Sequence, residues 1–338
     1  MRGKVYIAGQ TGSWESHPWN PKNNINYTSA ETGLAEELGE DRDLIKQAKH
    51  PFFATVPGLD NAEKVLRYQE KYVHKILSIC LPYGHVLYNV ENEALTPLEW
   101  MDYWAKFART EAKAAGLPIY ITGMRRDRTL RSGEHTHVID HPELYDYLDI
   151  SQNSSNMGQV YYDNIMFRRS EIEKKGARPI NNVKIYSWPR DSEFETAHRF
   201  LRNVFAGCAS SRFHRRILRD GSVYSGIGLS DVAQTQIRST RMLTDAMNIF
   251  AMLPRNDLLS EREENEAYAL AEVGKQYAIY FPDGGEVKID LSAASGKLHA
   301  RWFNIGKSRW ANEQKLRGGK VATLNAPSSG QWAVLIKR

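Results

Sequence analysis

Apolar positions recur at helical spacing in five stretches, with short apolar runs between them. Val65, Tyr68, Tyr72, Ile76 and Ile79 predict a helix over 60–81. The Asp60 carboxylate is suited to cap the free N–H groups of its first turn. A second helix is expected over 96–115, with Pro97 at its first position, where no N–H is needed, and Gly116 as its C-cap. Three more are expected over 163–175, 193–206 and 230–251. Short strands are expected at 4–8, 85–90, 118–122, 147–151, 179–186 and 208–213. Residues 9–58 are poor in pattern and rich in Asn, Pro, Gly and His. Strand and helix in alternation, joined by crossovers of about 15–30 residues, imply parallel strands and an α/β class.

The last third changes period. From about Glu264 short runs recur at 267–273, 277–281, 286–290, 298–304, 321–325 and 332–336, separated by Asp283-Gly284-Gly285, Ser295-Gly296, Gly318-Gly319 and Ser328-Ser329-Gly330. That pattern predicts a small antiparallel β-sandwich. Two domains are therefore expected, 1–258 and 264–338, which agrees with a length of 338 residues.

Composition narrows the class. Two cysteines, Cys80 and Cys208, exclude a disulfide framework and a four-cysteine metal site. No apolar run reaches the roughly 18–20 residues that span a bilayer, so no membrane partner is expected. Met1-Arg2-Gly3-Lys4 opens no signal-peptide apolar region, which leaves a cytoplasmic protein or an export segment outside this chain. The net charge is +5, from 45 Lys and Arg against 40 Asp and Glu. It is too balanced to imply nucleic acid, yet it permits an anionic substrate.

The sharpest chemical signal is His85-Val86-Leu87-Tyr88-Asn89-Val90-Glu91-Asn92-Glu93, an apolar strand ending in Asn-Glu before a helix. In a parallel barrel, side chains at the carboxyl ends of strands face the active site. A carboxylic acid there can protonate a glycosidic oxygen, and the neighbouring amide can bond a sugar hydroxyl. The competing reading is an acid that caps the next helix.

This segment resembles the acid/base motif at the fourth strand of clan A glycoside hydrolases, which are (β/α)8 barrels of the TIM type. His17-Pro18-Trp19-Asn20-Pro21, Arg178-Pro179-Ile180-Asn181-Asn182-Val183-Lys184-Ile185-Tyr186 and Ala209-Ser210-Ser211-Arg212-Phe213-His214 resemble one bacterial branch of such proteins. Tyr277-Ala278-Ile279-Tyr280-Phe281-Pro282-Asp283-Gly284-Gly285 resembles the β-domain of collagen-binding type appended to those barrels. The resemblance implies an O-glycosidase acting on a polysaccharide or oligosaccharide without a cofactor, and secreted or periplasmic relatives. In it Glu93 is the general acid, and Asn92 and Gln152 bind sugar hydroxyls.

Two departures stand out. The resemblance places a Glu nucleophile about five residues after a Pro on the seventh strand, and here that position holds Lys184. An ammonium cannot act as a glycosidic nucleophile. The candidates for a second carboxylate are Asp127, Glu134 and Asp191. Lys184 itself can pair with Glu93, bind an acidic substrate group or close a salt bridge in the barrel mouth. The strand count also falls short, six against eight, with Asn-Glu on the second strand where the fourth is expected. The barrel is thus expected to be incomplete at its amino end, rearranged, or closed by a partner such as a second copy covering an open edge.

Weaker signals remain. His135-x-His137 with Asp140 and His141 has metal-ligating residue types but no matching Cys or Glu set, and no metal is expected. Arg125, Arg126, Arg128, Arg212, His214, Arg215 and Arg216 follow two expected strands and form a basic rim for an acidic glycan or a solvated surface. Trp14, Trp19 and Trp188 are placed to stack on sugars or to anchor loops. Trp100 and Trp104 are expected in the core, and Trp302, Trp310 and Trp332 in sandwich packing. Two readings follow: a glycosidase, or a sugar-binding barrel that has lost its second carboxylate.

Overall fold

A computed structural model describes residues 14–37, 51–53, 55–187, 193–216 and 230–338. The chain forms two compact units: Met1–Gln152 with Ser170–Pro179, and Asn153–Arg169 with Ile180–Arg338.

The first unit contains a short helix α1 (Ser29–Thr32), helix α2 (Glu63–Cys80), strand β1 (Tyr88–Ala94), helix α3 (Leu98–Ala115), strand β2 (Ile121–Arg125), a short helix α4 (Thr136–Asp140) and a two-residue strand β3 (Leu148–Asp149). Helix α2 buries Val65, Leu66, Gln69 and Leu77, while Tyr72 and Ile79 are about half exposed. The buried stripe is therefore rotated from the expected one. Asp60 does not cap this helix: Ala62 is the cap residue, without a side-chain bond, because the chain turns through a left-handed Asn61 (φ 51°). Helix α3 buries Trp100, Met101, Trp104, Ala105, Ala108 and Ala112, one face at three- and four-residue spacing. Pro97 lies just outside it as the cap residue, and Gly116, at φ 67°, ends it.

Strands β1 and β2 run parallel, with Tyr88 opposite Ile121 and Asn89 opposite Thr122. The register then slips twice, before Asn92 and again before Ala94. Such bulges re-aim side chains at strand ends. Strand β2 is buried along its whole length, as a parallel strand covered on both faces should be.

Helix α5 (Gly158–Lys175) runs from the second unit into the first in sequence. The second unit continues with strand β4 (Ile180–Ser187), helix α6 (Glu193–Phe205), strand β5 (Ser210–Arg216) and helix α7 (Asp231–Asp245). Strands β4 and β5 are parallel, with Asn181 opposite Ser210. Ile185, Phe200, Phe213 and Ala233 form their core, with Phe200 and Phe213 stacked at 4.6 Å. Five of the six strands expected in the α/β part are present, at shifted bounds. The sixth, Lys4–Ala8, lies outside the described residues.

The same unit holds two antiparallel sheets. One comprises β6 (Leu253–Pro254), β8 (Tyr268–Glu272), β9 (Gln276–Phe281), β11 (Lys297–Asn304), β12 (Arg309–Arg317) and β14 (Trp332–Lys337), in the order β12-β11-β14-β9-β8-β6. The other comprises β7 (Leu259–Ser260), β10 (Glu286–Asp290) and β13 (Val321–Asn325), with β10 central. Inward positions alternate with outward ones: Val287 and Ile289 on β10, and Leu298, Ala300 and Trp302 on β11, all join one buried cluster. Gly284 (φ 67°) turns β9 toward β10, and a Cβ there would lie 2.7 Å from the Ser328 carbonyl oxygen. Strand β12 was not expected from the sequence. It is an edge strand, almost entirely exposed and rich in Arg, Lys and Glu, so it carries no apolar alternation.

Candidate active site

Strand β1 delivers three polar residues in succession. Glu91 is 1% exposed, whereas Asn92 and Glu93 are half-buried. Period-two alternation would put Glu91 and Glu93 in one environment. The second register slip separates them, and Glu93 takes the left-handed conformation at φ 56°. That region is uncommon for a non-glycine residue and costs roughly 1–3 kcal/mol. The strain sits at the carboxyl end of a parallel strand.

Glu91 anchors a buried ionic cluster. Its carboxylate accepts from Arg125 Nη1 at 3.0 and 3.2 Å, from the Thr96 hydroxyl at 2.6 Å and from the Thr96 N–H at 3.3 Å. Arg125, at the end of β2, also donates through Nη1 to the Thr96 carbonyl at 3.0 Å and through Nη2 to Glu134 at 2.7 Å. Complete burial pushes the Glu91 pKa up to about 7, against the opposing pull of Arg125 and the Thr96 bonds.

Beyond β2 the chain folds back on itself. Asp127 is buried and accepts from Thr129 N–H and hydroxyl at 3.0 and 2.8 Å and from Ser132 N–H at 3.2 Å. His135 Nδ1 lies 3.4 Å from Asp127 Oδ2, and its Nε2 lies 3.3 Å from the Asp149 carbonyl oxygen. Burial works to raise the Asp127 pKa, but the bonds from His135, Thr129 and Ser132 outweigh it and hold the carboxyl well below the usual range.

The sequence candidates thus separate. Glu93 and Asn92 share the bulged end of β1. Asp127 and Glu134 both lie after β2, each engaged by a neighbouring cationic or imidazole group. Gln152 is half-buried in the turn Ser151–Ser155. In the second unit Lys184 is 2% exposed on β4, and its carbonyl accepts from Ser154. Arg212 is exposed on β5. Trp188 and Asp191, and the His214 side chain, lie outside the described residues. Trp19 is half-buried, edge-on to Phe52 and Tyr72 at 6.5 and 6.2 Å. Trp14 is no sugar platform: it is fully buried and donates to the Ala35 carbonyl at 2.8 Å. Arg125 is likewise no rim residue, whereas Arg126 and Arg128 are exposed. His137 pairs with Asp102 at 2.7 Å and His141 with Glu143 at 2.8 Å, so these histidines serve local contacts. Among the described residues no group of three or more His, Cys, Asp or Glu converges as a metal site would.

The sequence reading did not single out Glu91, and it took Arg125 for a rim residue and not for the cation of a buried pair. The available signal was an acid inside an otherwise apolar strand, which must find a cation when buried.

Residues 253–337 match the family described as "Putative collagen-binding domain of a collagenase". No curated protein sequence matches the chain. Among solved structures, one titled glycoside hydrolase superposes with a TM-score of 0.60 at 12% identity, covering 79% of this chain and 68% of that one. A glycoside hydrolase family 5 structure from Bacteroides vulgatus gives 0.59 at 15% identity, covering 80% and 66%. An α-amylase from H. orenii gives 0.50 at 11% identity, covering 82% and 65%. The chain therefore spans about two-thirds of the length of these structures. Its fold is similar to that of glycoside hydrolases, and its residues 253–337 match the collagen-binding-type family model.

Proposed function

We propose that the protein cleaves O-glycosidic bonds of a polysaccharide or oligosaccharide, acidic glycans included, with Glu93 as general acid. The observation that carries this reading is the left-handed Glu93 at the bulged carboxyl end of a parallel strand. Strained residues at such positions cluster at active sites. Glu93 would protonate the leaving oxygen while the Asn92 amide holds a sugar hydroxyl. As further candidates for substrate contact the sequence offers Gln152, Lys184, Trp19, Trp188, Arg212 and His214, with a barrel over 1–258 before a sandwich over 264–338. Of the described candidates for the second carboxylate, Glu134 is the more available. Its side chain is about one-third exposed, whereas Asp127 is buried and turned toward its own loop.

Reducing-sugar release from a panel of neutral and acidic polysaccharides tests the proposal. Glu93→Gln should lower the rate by about 10²–10⁴-fold, the usual contribution of general acid catalysis. No release from any glycan would sink it.

A specific observation favours a second reading, sugar binding without hydrolysis. Asp127 and Glu134 are held by the chain's own His135 and Arg125. Under that reading glycans bind without release, and Glu93→Gln leaves the affinity unchanged.

A further inference from the structure

The outer face of the six-stranded antiparallel sheet changes character toward its β12 edge. On β11, Leu298, Ala300 and Trp302 point inward to the buried cluster, so Lys297, His299 and Arg301 share the opposite face. The register places Arg317, Lys315 and Glu313 of β12 directly opposite these three, and Lys337 of β14 opposite His299. Residues directly opposite one another project from the same side of a sheet, so all seven form one surface, and all are exposed.

This surface is short of negative charge. Of the seven residues only Glu313 is acidic, and its carboxylate is paired with His299. The side chains of Lys297, Lys315 and Arg317 make neither a hydrogen bond nor a salt bridge among the described residues, and the Arg301 guanidinium lies 4.4 Å from the centre of the Trp310 ring. Lys337 donates to the Ala246 carbonyl at 3.1 Å, which leaves its charge unbalanced. Lys297 and Arg317 are direct cross-strand partners, and like charges so placed destabilise a sheet. Charges on an edge strand guard against edge-to-edge pairing, which accounts for Lys315 and Arg317 on β12. That role does not account for Lys297 and Arg301 on β11 or Lys337 on β14, because both of these strands are paired on each side. Cations opposed across three strands lack a counter-charge that a bound polyanion would supply.

We propose that this face of β11, β12 and β14 binds an anionic polysaccharide, carboxylated or sulfated, at a site separate from Glu93. The charge argument stands alone; the choice of a glycan among polyanions rests on the glycosidase reading above. The repeating anions of such a chain would meet cations spaced about 4.8 Å across the strands and about 6.8 Å along them. The guanidinium forks of Arg301 and Arg317 suit paired anionic oxygens, and the lysines serve as point charges. An anionic membrane fits less well, because no large apolar side chain is exposed on these three strands to enter a bilayer. Single-stranded nucleic acid fits less well too, because it stacks its bases on open rings, and the Trp310 ring is covered by Arg301.

Dextran sulfate, polygalacturonate and neutral dextran are the probes, titrated against the full chain by calorimetry. At least one anionic polymer should bind, and dextran should not. Binding of polygalacturonate alone would assign carboxylates, and binding of dextran sulfate alone would assign sulfates. Raising salt from about 50 to 200 mM should weaken binding roughly tenfold to hundredfold, as about four ion pairs require. Arg317→Glu should weaken binding about tenfold and leave thermal stability equal or higher, because an attractive pair with Lys297 replaces a repulsive one. Should that variant misfold, wild-type protein still decides. Bound polymer should shield Lys297, Lys315 and Lys337 from acetylation by acetic anhydride and leave the exposed Lys106 on α3 reactive. Glu93→Gln should leave the affinity unchanged, so loss of this surface and failure of the glycosidase reading are separate results. No binding of either anionic polymer, or equal binding of dextran, would overturn the site. So would acetylation of the three lysines at an unchanged rate, or a folded Arg317→Glu variant that binds as tightly as wild type. Tighter binding of duplex DNA than of both anionic polymers would overturn the glycan class and make the face a nucleic-acid surface.

Discussion

The core of the antiparallel sheets and the ends of β1 and β2 bury their residues by opposite means. Between the sheets the inward positions are apolar: Val287, Ile289, Leu298, Trp302, Val334 and Ile336 are all at most 3% exposed. Removal of that surface from water stabilises this region at roughly 25 cal/mol per Å². At the strand ends the buried groups are Glu91, Arg125, Asp127 and His135, none more than 5% exposed. Taking ions out of water costs several kcal/mol each, and their attraction does little more than offset it. Apolar residues of the same volume would stabilise those strands at least as well. A fold that keeps charges there is holding groups in position, and the strained Glu93 beside them fits the same interpretation.

That contrast can be tested first where the effect is largest. Phe281→Ala removes a fully buried ring from the sheet core and should cost about 3–5 kcal/mol in urea unfolding. A loss below 1 kcal/mol would mean that the core of these antiparallel sheets is loosely packed. Arg125→Met should cost a comparable amount, about 3–5 kcal/mol at pH 8, because it takes the cation from a fully buried Glu91, which must then bind a proton out of alkaline solution, and leaves Glu134 without its partner. At pH 5 the loss should shrink, since Glu91 can then take up a proton. A penalty independent of pH would place the damage in packing.

The Glu91 titration gives the next effect. Its folded pKa of about 7 lies above the ordinary 4.5, so the folded state holds the proton more tightly than the unfolded one. The stability this contributes is fully present below about pH 4.5 and is lost as pH rises through 7, about 3 kcal/mol in all. Glu91→Gln should remove this component from the stability-against-pH curve. An unchanged slope between pH 5 and 8 would show that Glu91 titrates normally. The smallest effect belongs to the exposed pair Arg241–Asp245, 3.7 Å apart on α7. Arg241→Ala should change stability by less than about 0.5 kcal/mol, and a larger change would show that this surface is not free in solution.

Periodicity made most elements legible. Helix α3, the strands flanking Gly284 and the alternation of β10 and β11 all follow from residues that are neighbours in sequence. The Asn92-Glu93 pair was legible for the same reason. What was not legible depends on distance along the chain. Glu91 and Arg125 are 34 residues apart, and the rotation of the α2 stripe is set by what packs against Gln69 and Leu77. Strand β12 carries no apolar signal because an edge strand facing water needs none.

The amino-acid sequence by itself determined which segments are helix or strand, the change from parallel α/β units to antiparallel sheets, and the Asn-Glu signature at the end of an apolar strand. These are local properties, set by backbone sterics and by the period at which side chains meet water. Only the tertiary structure decided that Glu91 and Arg125 form a buried ion pair and that Glu93 is turned left-handed by a slip in register. Each of these depends on groups brought together from separate turns of chain, where the loss of water, and not the spacing of residues, sets the energy.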